Sequence, residues 1–213
     1  MFGADARGRL TGRAPHLHIL RTPGILICRC HAQLGDEVAG AIEALAHRPR
    51  GRPSEWAREY ADYARLLAAA APLKAIRSGP LYDFPGPVTL GEDAVSIDAT
   101  NAGLLRGGLD EWLPDVAAGL PMSVTLAGGR AVAVCASVKA SQVAHCAGVE
   151  TLPQYRGRGF AAQAVAGWAR AVMARGAAPI YGTTFDNLAS QGVARRLGLR
   201  LIAAEFSIEC QTG

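Results

Sequence analysis

The segment that most constrains this chain runs from residue 144 to residue 174. An apolar, strand-like run, AHCAGVET, leads into LPQYRGRG and then into a stretch whose Phe160, Ala164, Val165, Trp168 and Val172 fall on one helical face. Strand, glycine loop and helix in that order belong to an α/β architecture, because the helix must fold back over the sheet that the strand joins. The loop, Gln154-Tyr155-Arg156-Gly157-Arg158-Gly159, decides what the junction can hold. The first N–H groups of a helix lack internal partners and carry the positive end of its dipole, which favours an anion. Two glycines let a phosphate come close to the backbone, and Arg156 and Arg158 offer planar forks that suit phosphate oxygens. The junction is expected to bind a pyrophosphate.

Gly157-x-Gly159-x-x-Ala162 also fits a loose dinucleotide fingerprint, but the context opposes it. A dinucleotide sheet needs several further βα units and an acidic residue about twenty positions on. Only 54 residues follow Gly159, and the nearest downstream acid is Asp186. The chain continues instead as strand PIYGTTF, helix NLASQGVARRLG and strand LRLIAAEFSIE. Upstream, MSVTLA and RAVAVCASV read as a hairpin across Gly128-Gly129, AVSIDA as a strand and LLRGGLDEWLPDV as a helix.

Residues 79–87, GPLYDFPGP, read as a boundary between a region over 1–79 and a domain over 80–213. The first region opens with a hairpin, HLHIL and ILICRC, turning at Thr22-Pro23-Gly24. Asp36 is expected to cap a helix with Val38, Ile42 and Leu45 on one face. Ser54 caps a second, in which Trp56, Tyr60, Tyr63 and Leu67 form a stripe that reads as core and Pro72 is the stop. The expected fold is α/β: a mixed, splayed central sheet flanked by helices, with a mostly helical N-terminal extension.

Composition narrows the function classes. Of 213 residues, 50% are hydrophobic and 19% charged, enough to bury a core. No run approaches the roughly 18 apolar residues of a membrane span. Asp5, Arg7 and Arg9 stand where a secretory leader would be apolar, so a cytoplasmic location and no membrane partner are expected. The net charge of +4 is N-terminal in origin: residues 1–58 hold nine Arg against five acids, and the remainder thirteen of each sign. Arg48, Arg50 and Arg52 lie in HRPRGRPS without interleaved aromatics, so nucleic acid is not an expected partner. Five scattered cysteines do not form a disulfide framework and are expected to stay reduced. A hairpin could gather His16, His18, Cys28, Cys30 and His31, but their spacing matches no zinc pattern, and no metal is expected.

Gln154-x-x-Gly157-x-Gly159, preceded by Val149-Glu150-Thr151-Leu152-Pro153 and followed by Asn187-x-x-Ser190 and Leu197-Gly198-Leu199, resembles the central signature of the GCN5-related N-acetyltransferases, the GNAT superfamily. The resemblance spans about residues 80–210, is specific over 143–199 and does not reach residues 1–79. It implies acetyl-CoA as co-substrate. On that resemblance Val149 and Thr151 offer main-chain groups to the pantetheine arm and Gln154 stands at the loop entrance. Arg156, Gly157, Arg158, Gly159, Phe160 and Ala161 hold the phosphates, Asn187 contacts pantetheine, and Ser190 neighbours the sulfur. The implied activity is acetyl transfer to a primary amine, on a small molecule or a peptide, by direct attack on the thioester and without a metal; a homodimer is left open. The alternative is a regulatory module that binds acetyl-CoA without turning it over.

A lysine-like amine with pKa near 10.4 is neutral only about once in a few thousand molecules at pH 7, so a base must take its proton. Glu150 and His145 are the candidates, and strand alternation points them to opposite faces. Many relatives carry a tyrosine seven residues after the asparagine as the acid for the departing thiolate; here that position is Ala194. Ser190 is then the hydroxyl expected to stabilise the thiolate, and a tyrosine introduced at 194 is expected to restore rate.

Overall fold

A computed structural model describes residues 3–47 and 60–211. The expected Ser54 cap, Trp56 and the basic linker lie outside the described residues. In chain order the elements are β1 (Gly3–Ala4), β2 (Leu10–Thr11), β3 (Leu17–Arg21), β4 (Leu26–Cys30), α1 (Asp36–Ala46), α2 (Tyr60–Ala70), β5 (Leu73–Asp83) and β6 (Val95–Ser96). There follow α3 (Leu113–Val116), β7 (Met122–Ala127), β8 (Arg130–Ala140), β9 (Ala144–Thr151), α4 (Phe160–Ala174), β10 (Ala178–Gly182), α5 (Leu188–Arg196) and β11 (Arg200–Cys210). No described helix is long and apolar enough to cross a membrane. The described residues form two compact units: those within 3–81 together with 183–186 and 201–211, and residues 82–182 with 187–200.

The first unit holds both strands and helices, with strand order β4-β3-β11-β5. The hairpin forms as its turn residues dictate, the Thr22 hydroxyl accepting from the N–H groups of Gly24 and Ile25. Asp36 does not cap α1: Gly35 occupies that position, and Asp36 is the first helical residue, its carboxylate paired with Arg9 at 2.6 Å. Ile42 and Leu45 of α1 and Tyr60, Tyr63 and Leu67 of α2 are buried against Leu17, Ile19, Phe206 and Ile208. The tyrosine stripe is core, with Tyr60 stacked on Phe206 at 3.9 Å between centroids.

Residues 79–83, read from the sequence as part of a boundary, continue β5 as strand, and the two units divide between Leu81 and Tyr82. Gly79 permits this, since a β-carbon there would stand 1.7 Å from the Thr183 carbonyl oxygen. Pro80 lacks an N–H, but its carbonyl accepts from Thr183, and Ser78 accepts from Phe185. The last strand, expected within a domain over 80–213, pairs antiparallel with β3, from Ala204 opposite Arg21 to Ile208 opposite Leu17.

The second unit is a mixed sheet, β6-β7-β8-β9-β10, antiparallel except for β9 and β10. Gly128 and Gly129 turn the β7–β8 hairpin at φ 58° and 78°, the left-handed pair that a tight turn between twisted strands requires. Helix α4 buries Ala164, Val165, Trp168 and Val172 against Ala133, Cys135 and Tyr181, and each buried valine contributes about 1.5–3 kcal/mol.

AVSIDA forms only the two residues of β6. Asp98 then starts a turn, its carboxylate accepting from the N–H and hydroxyl of Thr100. The helix expected over 104–116 is broken into two 3-10 turns and the single turn α3, because Gly107 and Gly108 take positive φ and donate both N–H groups to Asp110. The splay of the sheet is visible in the register. β10 meets β9 only from Ala178 opposite Ala144 to Ile180 opposite Cys146. Among the described residues, β9 from Ala147 to Thr151 pairs with β8 alone.

Candidate functional site

A cleft of about 600 Å³ opens where β9 loses its partner. Its walls are the end of β9 (Val149, Glu150, Thr151), the loop (Tyr155, Arg156, Gly157, Gly159), the first turn of α4 (Phe160, Ala161), Tyr181 of β10, and a stripe of α5 with Asn187, Ser190, Val193 and Arg196. Gln154 is exposed and does not line it. Arg158 also stays outside, its guanidinium lying 5.6 Å from the Tyr155 ring centroid and 5.3 Å from that of Phe160.

The loop is shaped by its glycines. Gly157 and Gly159 adopt φ 72° and 90°, which L side chains rarely take. A β-carbon at Gly159 would also stand 2.9 Å from the Arg196 guanidinium carbon. With Gly159 as its cap residue, α4 has no side chain on its leading N–H groups. Arg156 donates through Nε to the Thr151 carbonyl at 3.1 Å. Among the described residues no carboxylate pairs with Arg156, Arg158 or Arg196. The positive end of α4 and the uncompensated Arg156 and Arg196 thus converge on one end of the cleft, a donor set that fits a diphosphate. Arg196, which motif reading misses, stands at i+7 from Ala189 and i+3 from Val193, the spacing of one helical face, and both of those residues line the cleft.

The two candidate bases part as strand alternation requires. His145 is buried in the sheet, its Nδ1 2.8 Å from the Ser137 hydroxyl, which in turn accepts from Trp168 Nε1 at 2.9 Å. Burial, and then the Arg175 charge, hold its pKa below the usual histidine value. It does not line the cleft. Glu150 does, and its Oε2 accepts from Trp112 Nε1 at 2.6 Å.

Asn187 caps α5, its Oδ1 accepting from the Ser190 N–H at 3.0 Å, so its amide NH₂ is the group left for a ligand. The Ser190 hydroxyl lies 2.7 Å from the hydroxyl of Tyr181. Sequence spacing gave no sign of this partner, because it comes from a different element. Burial pushes the Tyr181 pKa up to about 12, against the opposing Ser190 hydrogen bond. Ala194 is 1% exposed and packs in the same core cluster as Tyr181, so the position is not open to the cleft.

The histidines of the first unit have separate hydrogen-bond partners, although the rings of His16 and His31 approach to 5.3 Å between centroids. His16 Nδ1 accepts from the Cys210 N–H, His18 pairs with Glu205 at 2.9 Å, and His31 meets the Gly12 carbonyl and the Gln33 N–H. Among the described residues no group of three or more metal-ligating side chains is arranged to hold an ion.

The family model described as GNAT acetyltransferase matches residues 122–204. Solved structures similar to the chain include a GNAT-family protein from Novosphingobium aromaticivorans, 19% identical, covering 66% of this chain and 67% of that one with a TM-score of 0.52. A GCN5-related N-acetyltransferase-like protein from Streptococcus suis is 17% identical, covers 93% and 85%, and has a TM-score of 0.55. A Drosophila protein is 16% identical, covers 98% and 78%, and has a TM-score of 0.53. No curated protein matches the chain.

Proposed function

Because the chain has the GNAT-superfamily acetyltransferase fold, we propose that it transfers an acetyl group from acetyl-CoA to a primary amine by direct attack on the thioester. The observation that carries this reading is the carboxylate-free cationic loop at the start of α4, opening into a cleft that also holds Glu150 and Ser190. Arg156, Gly157, Gly159, Phe160 and Ala161, joined by Arg196, hold the phosphates; the main chain at Val149 and Thr151 and the Asn187 amide hold the pantetheine arm. Gln154 and Arg158 belong to the same loop but stay outside the cleft lining. Acetyl-CoA supplies the activated acyl group.

The chain's own residues then divide the work. Glu150 takes a proton from the ammonium form of the acceptor, leaving a nitrogen lone pair for the acyl carbon. As the C–N bond forms, the C–S bond breaks and its electron pair leaves with sulfur. The Ser190 hydroxyl donates a hydrogen bond to that sulfur, and Tyr181 donates to Ser190. With its pKa raised to about 12, Tyr181 keeps its proton. Solvent therefore supplies the proton that makes the free thiol, and the nitrogen releases its second proton as the amide forms.

Ala194, in place of an acidic hydroxyl on α5, favours a second reading, a module that senses acetyl-CoA without turnover. Thiol release measured with a panel of primary amines, beside a binding titration with acetyl-CoA, separates the two. Release that depends on the amine supports transfer. Binding with no release on any amine supports the sensor.

A further inference from the structure

Resting on the acetyltransfer reading above, we propose that Trp112 is a positioning residue for the acceptor: it holds one oxygen of Glu150 so that the other is presented to the incoming ammonium. The indole is fixed at its own end. It closes the 3-10 turn Asp110–Trp112, which Asp110 pins by accepting from the N–H groups of Gly107 and Gly108, each at 2.9 Å. It then passes over β9 at Gly148, where a β-carbon would stand 3.0 Å from Trp112 Cη2 and 2.2 Å from a Val138 methyl. Gly148 and Glu150 share one face of the strand. The bare backbone at 148 is therefore what lets the ring reach along that face to Oε2, at 2.6 Å.

A charge-assisted bond of that length is short for an N–H donor. Glu150 makes no other hydrogen bond among the described residues, and it lines the cleft, so Oε1 remains for the substrate. An untethered glutamate samples many rotamers and must be ordered at each encounter. A tethered one is ordered beforehand, which lowers the barrier to a reaction that depends on placement.

The test is a double-mutant cycle on the full chain, with Trp112→Phe, Glu150→Gln and both together, reading kcat and KM for the amine and the dissociation constant for acetyl-CoA. Trp112→Phe should lower kcat/KM for the amine by about 10–50-fold with acetyl-CoA affinity unchanged, and should cost nothing further in the Glu150→Gln background. Equal losses in both backgrounds, or an acetyl-CoA affinity that falls in step, make Trp112 a packing residue and overturn the proposal. A parent that binds acetyl-CoA but acetylates no amine overturns the acetyltransfer reading, and this role with it; an active parent with additive losses overturns this role alone. The indole N–H resonance of Trp112 gives a measure that needs no change at 112. It should move upfield in Glu150→Gln, and an unmoved signal shows that the bond is not made in solution.

Discussion

Tyr181 and Ser190 face each other across the wall of the cleft, their side-chain oxygens 2.7 Å apart, one from β10 and the other from the first turn of α5. The pair places a second hydroxyl behind the one expected to meet the sulfur. Tyr181→Phe should lower turnover about tenfold, the equivalent of about 1.4 kcal/mol, while leaving acetyl-CoA affinity unchanged. Ser190→Ala should cost about tenfold to a hundredfold. Steady-state kinetics on a good acceptor decide this, and parental rates in both variants would remove the pair from the chemistry.

The same phenol ties stability to alkaline pH. Burial raises the folded-state pKa of Tyr181 to about 12, above the unfolded value of about 10. The fold therefore favours the neutral form, and the stability this contributes is complete below about pH 10 and is lost as pH rises from about 10 to about 12. Denaturant midpoints measured across that window should fall less steeply in Tyr181→Phe than in the parent. Parallel decline in the two proteins would show that another group is responsible.

A tyrosine introduced at Ala194 should not recover rate, contrary to what spacing from Asn187 suggests. The position is 1% exposed within a packed cluster that already contains the Tyr181 ring. Ala194→Tyr should destabilise by about 1–3 kcal/mol or more through overpacking, seen as a lowered Tm. A stable and faster variant would contradict the packing described above.

At the loop, Arg196→Ala should weaken acetyl-CoA binding by about 1–3 kcal/mol, as loss of a charge-assisted hydrogen bond requires, and Arg156→Ala by a similar amount. Arg158→Ala should do less, because that guanidinium lies over Tyr155 and Phe160 outside the cleft lining. Gly157→Val should abolish measurable binding, since φ 72° is a conformation a β-branched residue does not tolerate. Calorimetry ranks the four. Arg158→Ala weakening binding more than Arg196→Ala would reverse the assignment.

Gly79→Ala tests the close approach in the first unit. Its β-carbon would fall 1.7 Å from a backbone carbonyl, which cannot swing aside as a side-chain tip can. A loss above about 3 kcal/mol is expected in a denaturant melt. A loss under about 1 kcal/mol would mean that residues 183–185 are not held against β5.

What could be read from sequence was local. The glycine loop, the apolar stripe of α4 and the Gly128-Gly129 hairpin each depend on neighbours within a few residues, and each formed where its chemistry placed it. β5 was hidden because Gly79 and Pro80 ordinarily punctuate a strand, and only the Thr183 carbonyl explains their presence within one. Trp112 read as part of a helix because Gly107 and Gly108 break that helix through Asp110, a side-chain contact that periodicity does not register. Tyr181 looked like one more strand aromatic. Its meeting with Ser190 depends on how β10 turns into α5.

The measurement that bears most directly on the account is product stoichiometry: thiol released and acetylated amine formed for each acetyl-CoA consumed, followed together in one reaction. The account predicts that the three change in equal amounts and only when a primary amine is present. Thiol released without acetylated amine, or acetyl-CoA bound and left intact with every amine offered, would contradict it.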